Sequence, residues 1–309
     1  MFDIIGVGDA DIDFMIRVDR IPAQDEKAIG YLIGKYPGGM VSNFLSAAAA
    51  FGAKCGAVVC TGNDDFGRTS LADLEMRGVD ISKSVIRDGY STYFTFTNLD
   101  ESGEKSMTLC LGEGDTTVPS VEEVDMDYIA KGKFLHMIGT YPQMVIPIGK
   151  EAKRRGVKVS LDIEPESQNM TQEEKDETLA LSYIVFPNEA GLACYVGYPG
   201  IERGAREMLS KGPEIVVVTK GEHGCEVFTD QTHFAVPAIK VPVKDSTGAG
   251  DTFNATFLAC HSKGYPLENC AKLATAAAAM QIQHYGAREG IVGEDVAAGL
   301  LAERGIELC

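Results

Sequence analysis

The fold of this chain is decided by residues 245–251, Asp-Ser-Thr-Gly-Ala-Gly-Asp, which lead into a small-residue and apolar run at 255–260. The glycines on either side of Ala249 let the backbone turn and approach a ligand closely. A helix beginning here points its unpaired amides and the positive end of its dipole at the turn, which favours an anion. The negative charge of Asp251 opposes an anion in that turn. The combination makes sense if the carboxylate handles a hydroxyl that attacks a phosphate. An ordinary helix start with an aspartate in its first turn also explains these residues.

Strand-like and helix-like segments alternate along the 309 residues, with no internal repeat and no long linker. This alternation is typical of an α/β fold, in which helices cover both faces of a mostly parallel sheet, and it favours a single domain over residues 1–309. Predicted strands cover residues 2–7, 55–59, 134–138, 157–161, 184–186 and 215–219, and predicted helices cover 43–51, 66–77, 144–155, 202–209, 251–262 and 267–283. The helix at 144–155 requires Pro147 to fall in its first turn.

Two regions, within about 12–36 and 91–111, interrupt this alternation with β-rich segments. The segments are residues 12–18, 28–36, 91–98 and 105–111, with a turn signal at Glu101-Ser102-Gly103. We interpret them as antiparallel ribbons added to the main sheet. An exposed ribbon can close over a ligand as a lid, pair with a partner's ribbon, or be an ordinary extension of the sheet edge.

Composition and missing motifs exclude several functions. The net charge of -17 argues against nucleic acid and anionic membranes, which attract basic surfaces, and no apolar stretch reaches the ~18 residues of a membrane span. The eight scattered cysteines and the absence of a signal peptide predict reduced thiols in a cytoplasmic protein, and the five histidines lack zinc spacing. The P-loop, the dinucleotide GxGxxG and the GxSxG nucleophile elbow are all missing.

Three acidic residues, Asp9, Asp11 and Asp13, follow the first predicted strand. Ligands of open parallel sheets bind beyond the carboxyl ends of the strands, so these side chains are candidates to accept hydrogen bonds from sugar hydroxyls. A charged loop without a ligand is the alternative. A calcium loop is the weaker one, because its glycine and terminal glutamate are missing.

Three further segments suit a small ligand. Gly38-Gly39 precedes Asn43, an amide that donates and accepts hydrogen bonds, although a simple turn explains the same residues. Residues 219–224, Thr-Lys-Gly-Glu-His-Gly, follow a predicted strand and form either a nucleotide contact or a glycine-bearing hairpin. Residues 275–279 are all small, which leaves room for an adenine or serves close helix packing.

In their order along the chain, these motifs resemble the PfkB carbohydrate kinase family, nearest to its ribokinase-like members. The resemblance also includes residues 61–67, Thr-Gly-Asn-Asp-Asp-Phe-Gly, and runs from about residue 4 to residue 291. It implies a ribokinase-like three-layer sandwich with a mostly parallel central sheet and a small β-ribbon lid. It further implies ATP and Mg²⁺ as cofactors, a K⁺ site in some members, and a homodimer through the lid ribbon.

The resemblance also implies a role for each matching residue. Asp251 matches the catalytic base, and Gly248, Ala249 and Gly250 match the anion hole. The other matches are Asp11, Asp13, Gly39 and Asn43 for the sugar, Asn188, Thr219, Gly221, Gly224 and Thr275 for the nucleotide, and Asp245 and Thr247 for a monovalent cation.

The chain departs from the family pattern at three positions. The family's Asn-x-x-Glu motif, tied to Mg²⁺ and phosphate, begins at Asn188 but ends in Gly191, so Glu189 or water is left to substitute. Gly139 stands where ribokinase has a sugar-contacting glutamate, and Asp11 replaces the usual asparagine. The resemblance therefore does not assure ribose as the substrate.

Our hypothesis is transfer of the γ-phosphoryl group of ATP to a hydroxymethyl group of a neutral sugar. Two close carboxylates, and no arginine beside the sugar motifs, weigh against an anionic acceptor. Aromatic residues in the ribbons offer stacking for a base, so a nucleoside kinase is the alternative: Phe14, Tyr93, Phe94 and Phe96. A non-catalytic sugar sensor and a pure scaffold are alternatives of another class. The helix dipole predicts a lowered pKa for Asp251 and hence a weak base.

Overall fold

The computed structural model describes residues 1–100, 105–112 and 114–309, so the turn predicted at 101–103 lies outside the described residues. The strands are β1 Phe2–Asp9, β2 Asp11–Val18, β3 Gly30–Gly38, β4 Cys55–Gly62, β5 Val85–Arg87, β6 Phe94–Leu99, β7 Lys105–Cys110, β8 Gly132–Ile138, β9 Lys158–Ile163, β10 Ile184–Pro187, β11 Ile215–Thr219, β12 Cys225–Phe228 and β13 His233–Val236. The helices are α1 Met40–Ala50, α2 Asp65–Met76, α3 Met126–Ile129, α4 Pro142–Arg154, α5 Gln172–Leu181, α6 Glu189–Val196, α7 Ile201–Lys211, α8 Ala249–Ser262, α9 Leu267–Gln281 and α10 Glu294–Glu303. Within these ranges every helix is too short or too polar to cross a membrane.

The larger sheet has the strand order β13-β12-β11-β10-β9-β8-β1-β4-β5, and every pair from β11 to β5 is parallel. Successive side chains of a strand point to opposite faces, so Ile4 packs into one core and Ile5 into the other. The first core also contains α1, α8 and α9, and the second contains α4, α5 and α7. This confirms the predicted three-layer α/β sandwich.

Helix α4 differs from its prediction at Pro147. The helix begins at Pro142, which suits the first position because a proline has no amide to leave unpaired. Pro147 therefore lies inside the helix rather than in its first turn, and the expectation for it is wrong.

The β-rich regions form a second, smaller sheet, which we call the lid sheet: β3-β2-β6-β7. Each region contributes an antiparallel pair, but β2 and β6 then join in parallel, with Asp13 opposite Thr95. The two ribbons are therefore not added to the main sheet, as the sequence suggested, but pair with each other. This pairing places the acidic segment after β1 in the same sheet as residues 82 positions away.

The aromatic residues of the lid sheet pack against one another. The rings of Phe14, Phe94 and Phe96 lie 5.2–5.5 Å apart between centroids, and Phe66 of α2 joins them at 5.6 Å. Phe14 follows Asp13 on one strand, so this cluster lies on the face opposite the carboxylate. These rings fix the lid sheet to α2, and they do not face the acidic segment, as a stacking role for a nucleobase requires.

Candidate active site

The candidate residues converge at the carboxyl ends of parallel strands, where ligands of such sheets bind. Asp9 ends β1, Asp162 lies near the end of β9, Asn188 follows β10 and Thr219 ends β11. The amino-terminal end of α8 meets this edge, because Asn254 in α8 donates to Asp162 Oδ2 at 3.1 Å.

The turn before α8 has the geometry that its glycines permit. Gly248 has φ 76°, and a Cβ there would lie 2.3 Å from the carbonyl oxygen of Ala287, so only glycine fits. The amide of Ala249 donates to the carbonyl of Ser246 at 3.2 Å. Within the described ranges, no acceptor engages the amides of Gly250 and Asp251, which leaves these two groups at the helix N-terminus for an anion.

Asp245 shapes the loop that leads into this turn. Its Oδ1 accepts hydrogen bonds from the amide of Thr247 at 3.0 Å and from Thr247 Oγ1 at 2.7 Å. Its Oδ2 accepts from the amide of Gly286 at 3.0 Å. The buried carboxylate thus ties the loop before α8 to the segment after α9.

Asp251 is buried, with 9% of its surface exposed, and it accepts a hydrogen bond from Asn43 Nδ2 at 2.8 Å. Burial raises the pKa of Asp251 to about 8, and the charges of Asp9 and Glu164 act in the same direction. The expectation of a lowered pKa is wrong, because the loss of hydration outweighs the helix dipole and the hydrogen bond from Asn43. A carboxylate with this pKa is a much better proton acceptor near neutral pH.

Arg288 is a buried residue of this site that the sequence reasoning missed. Its Nε donates to Asn43 Oδ1 at 2.8 Å, one terminal nitrogen donates to Asp73 Oδ2 at 2.7 Å, and the other donates to the carbonyl of Gly38. The bond to Asn43 Oδ1 leaves Nδ2 as the end of the amide that faces Asp251. Because Arg288 is 245 positions from Asn43, no local pattern indicates the pairing.

Asp11 and Asp13 both lie beside Gly38. A Cβ on Gly38 would come within 2.2 Å of Asp11 Oδ1 and 2.5 Å of Asp13 Oδ2. Asp13 Oδ1 accepts a hydrogen bond from Thr95 Oγ1 of the lid sheet, whereas Asp11 Oδ1 is buried and has no partner in the described chain. Burial raises the pKa of both carboxyls, and the charge of Asp13 raises that of Asp11 further. Asp11 Oδ1 is therefore open to a hydrogen bond from a ligand.

Asp9 has a structural role beside this pair. Its carboxylate accepts hydrogen bonds from the amides of Met40 at 3.0 Å and Val41 at 2.8 Å, at the start of α1, and from Tyr93 Oη at 3.0 Å. Gly39 turns into α1 with φ 95°, and a Cβ there would lie 2.8 Å from Ala10 Cα. Asp9 therefore fixes the start of the helix that carries Asn43.

A cavity of about 570 Å³ opens on the other side of Gly250. Three residues predicted to contact the nucleotide line it, namely Asn188, Thr219 and Gly221. Two others lie outside this lining. Thr275 Oγ1 donates to the carbonyl of Ala271 within α9 at 2.8 Å, and the carbonyl of Gly224 accepts from the amide of Lys220 within a turn at 2.7 Å.

The same cavity contains carboxylates that the sequence reasoning did not single out. Asp162 and Glu164 line it together with the exposed Glu189 and with Lys105 of the lid sheet. Lys105 Nζ lies 3.4 Å from Ser246 Oγ, so the lid sheet reaches the loop before α8. In the described parts of the chain no group of three or more metal-binding side chains stands ready for an ion, and all eight cysteines are free.

The chain resembles known proteins over nearly its whole length. The model of the pfkB family carbohydrate kinases matches residues 1–292. An ATP-dependent ribose-1-phosphate kinase of Halopiger xanaduensis is 29% identical over 98% of this chain and 99% of its own length. A cytidine kinase of Thermococcus kodakarensis is 28% identical over 93% of this chain and 98% of its own. The structure of Arabidopsis thaliana ribokinase complexed with ribose and ATP superimposes with a TM-score of 0.83 at 24% identity, over 97% of this chain and 98% of that one.

The family match and the relatives define an ATP-dependent kinase that phosphorylates an alcohol group. The chain belongs to the pfkB family of carbohydrate kinases, and this family consists of ATP-dependent enzymes that act on sugars and related compounds.

Proposed function

We propose that the protein transfers the γ-phosphoryl group of ATP to a hydroxymethyl group of a neutral acceptor, with Asp251 as the base. The observation that carries this proposal is the position of Asp251. Its carboxylate is buried between Asn43 and the free amides at the start of α8, and its pKa is raised to about 8.

The chain's own residues divide the work in this mechanism. Asp11, Asp13 and Asn43 hold the hydroxyls of the acceptor, and Asp251 orients the attacking hydroxyl and accepts its proton. The amides of Gly250 and Asp251 stabilise the charge on the transferring phosphoryl group, which moves through a loose transition state. The adenine nucleotide occupies the 570 Å³ cavity on the other side of Gly250.

The charge around the acceptor site favours a neutral compound. Asp11, Asp13 and Asp251 are all buried within range of the charge of Arg288. The nitrogens of Arg288 are occupied by Asn43, Asp73 and Gly38. Because the guanidinium of Arg288 is already engaged, a phosphate on the acceptor would meet these carboxylates instead. The acceptor that we propose therefore differs from ribose 1-phosphate, the compound in the name of the Halopiger relative.

The residues around the cavity fit a divalent cation that accompanies the nucleotide. Asn254 lines the cavity, is 3% exposed, and has a buried Oδ1 without a partner in the described residues. Asp162 and Glu164 supply further oxygen atoms, the ligand type that Mg²⁺ prefers. Bound there, Mg²⁺ neutralises charge on the phosphates.

Three further features belong to this proposal. A K⁺ ion beside Asp245 and Thr247 is supported by the burial of Asp245, which forms no ion pair within the described residues. A homodimer through the lid sheet is supported by the exposed Tyr31 and Leu32 on its edge strand β3. A cytoplasmic location is supported by the eight free cysteines.

A nucleoside is the second candidate acceptor, favoured by the inner face of the lid sheet. Met107 and Leu109 of β7 lie opposite Thr97 and Thr95, on the face that carries Asp13, and 45% and 55% of their surfaces are exposed. A free pentose is too small to cover both side chains while it is bound by Asp13, whereas a base attached to the sugar gives them an apolar partner.

The test is ATP consumption with a panel of pentoses, hexoses, nucleosides and ribose 1-phosphate. We expect turnover with a neutral compound, and we expect Asp251→Asn to keep acceptor binding but to lose at least ~10²-fold in kcat. Near-normal turnover of this variant contradicts the role of Asp251. Turnover with ribose 1-phosphate alone contradicts the neutral acceptor but not the kinase.

A further inference from the structure

The wall of the cavity beside Gly250 carries two carboxylates, each held by an amide. Asp162 and Glu164 lie at the end of β9. Asn254 Nδ2 donates to Asp162 Oδ2 at 3.1 Å, and Asn188 Nδ2 donates to Glu164 Oε2 at 2.9 Å. Asn188 also caps α6, because its Oδ1 accepts from the amide of Gly191 at 2.7 Å. Glu164 is therefore held in a fixed direction by a side chain that is itself fixed at both ends.

These oxygen atoms lack a cation. Among the described residues, neither Asp162 nor Glu164 forms an ion pair, and burial raises the pKa of both carboxyls. Lys220, which also lines the cavity, is paired with Glu226 at 2.8 Å. Asn254 Oδ1 is buried, and no side chain or backbone group of the described residues bonds to it. A polyphosphate that enters this acidic cavity needs a positive charge between its oxygens and those of the wall.

Two other positions along α6 do not supply a comparable group. A Cβ at Gly191 would lie 2.1 Å from the carbonyl oxygen of Ile163, so no side chain fits there while α6 packs on the end of β9. Glu189 lies in the first turn of α6 and is exposed, and within the described residues no donor holds its carboxylate in place. Glu164 is half-buried and held by Asn188, so its orientation costs little further entropy when a cation binds.

We propose that Glu164, held in place by Asn188, is the residue of this chain that binds the Mg²⁺ of the nucleotide, together with Asp162. The proposal rests on the proposed function, since the nucleotide brings the metal. Mg²⁺ keeps several waters and takes one or two carboxylates plus phosphate oxygens, and this cavity offers such a set. Glu164 thereby supplies a negative charge that position 191 of α6 cannot carry, because the backbone at Ile163 leaves no room for a side chain there.

Calorimetric titration of ATP into the full-length protein, with saturating Mg²⁺ and with a chelator, tests this assignment. We expect the unaltered protein to bind ATP more tightly with Mg²⁺. Glu164→Gln keeps a hydrogen-bond acceptor for Asn188. In this variant, the increase in ATP affinity that Mg²⁺ produces should be about 10-fold smaller than in the unaltered protein. Its affinity for ATP without Mg²⁺ should stay the same or improve, because a negative charge has been removed.

Glu166→Gln is the matched control, because Glu166 is exposed two residues further along the same segment. We expect it to bind ATP like the unaltered protein, and thermal unfolding checks that both variants fold. The assignment is overturned if Mg²⁺ raises the ATP affinity of Glu164→Gln as much as that of the unaltered protein. It is also overturned if Glu189→Gln, and not Glu164→Gln, loses this gain in affinity. Absence of any ATP binding by the unaltered protein overturns the proposed function and this proposal with it.

Discussion

At the scale of single residues, two opposing effects decide the chemistry of Asp251. Its position in the first turn of α8 lowers a carboxylate pKa by typically less than one unit, since a helix terminus contributes about 0.3–1 kcal/mol. Burial acts in the other direction and raises the pKa of Asp251 to about 8. Burial dominates because only 9% of the surface of Asp251 is exposed, and Asn43 lies directly against its carboxylate.

The raised pKa of Asp251 predicts a pH dependence of both activity and stability. The base must be unprotonated, so kcat/KM for the acceptor should rise with pH and level off above about 8. The contribution of Asp251 to the free energy of unfolding is fully present below pH 3.8, the ordinary pKa of an aspartate. It falls as the pH rises and is lost above the pKa of the folded protein, about 8. The melting temperature of Asp251→Asn should therefore exceed that of the unaltered protein by an amount that grows between pH 5 and about 8.5. Scanning calorimetry at several pH values measures this difference. A melting difference that stays constant over this range contradicts the assigned pKa.

We expect Arg288 to position Asn43 rather than to contact the substrate. Arg288→Lys keeps the charge but loses the planar fork that reaches Asn43, Asp73 and Gly38 at once. Asn43 can then rotate away from Asp251, so we expect kcat to fall by about 10-fold or more and the rise of the pH profile to shift. Arg68→Lys on the exposed face of α2 is the control, and should leave both unchanged. An unchanged pH profile in Arg288→Lys, with only a lower melting temperature, assigns Arg288 a purely structural role.

The residues that could be predicted are those whose role follows from local sequence. Gly248 and Asp251 lie in one turn, and the glycine is required by its own backbone angle. Arg288, Thr95 and Glu164 come from distant segments, and only the folded chain brings them to Asn43, Asp13 and Asn188. The pKa of Asp251 depends on burial, which no spacing of residues reveals.

At the scale of elements, strands and helices with strong apolar patterns were predictable, and their connections were not. The strand at 215–219 was predicted with the bounds that β11 has. Helix α5 was missed because its apolar residues are few, and the structure begins it with a capping box at Thr171 and Glu174. The parallel contact of β2 with β6 is a long-range pairing, and single ribbons carry no information about it.

The lid sheet contributes Lys105 to the lining of the cavity that we propose for the nucleotide. Lys105 Nζ lies 3.4 Å from Ser246 Oγ and forms no ion pair in the described residues, so it is free to bind a phosphate oxygen. We expect Lys105→Met to raise KM for ATP by about 10-fold, which is typical of one lost charge-assisted hydrogen bond, and to change KM for the acceptor little. Lys35→Met on the other face of the lid sheet is the control. Equal effects of the two substitutions on KM for ATP contradict a direct contact.

At the scale of the whole molecule, the net charge of -17 opposes the approach of a nucleotide. MgATP is itself an anion, and the repulsion extends over a Debye length of about 30 Å at 0.01 M salt but only about 10 Å at 0.1 M. In our proposal, the local attraction of the free amides and of a bound cation begins only near Gly250 and Glu164. Long-range repulsion therefore acts on the encounter, and the short-range contacts act on the complex that follows.

Raising the ionic strength from about 0.01 to 0.1 M should accordingly increase the association rate of MgATP, by about two-fold, rather than decrease it. Stopped-flow measurement of nucleotide binding gives this rate, and KM for a neutral acceptor provides the internal control because it should not respond to salt. A decrease in the MgATP rate would mean that the field at the mouth of the cavity is positive. Lys105 and Lys220 would then dominate the approach of the nucleotide in spite of the overall charge, and salt sensitivity of the Lys105→Met variant would identify which of the two is responsible.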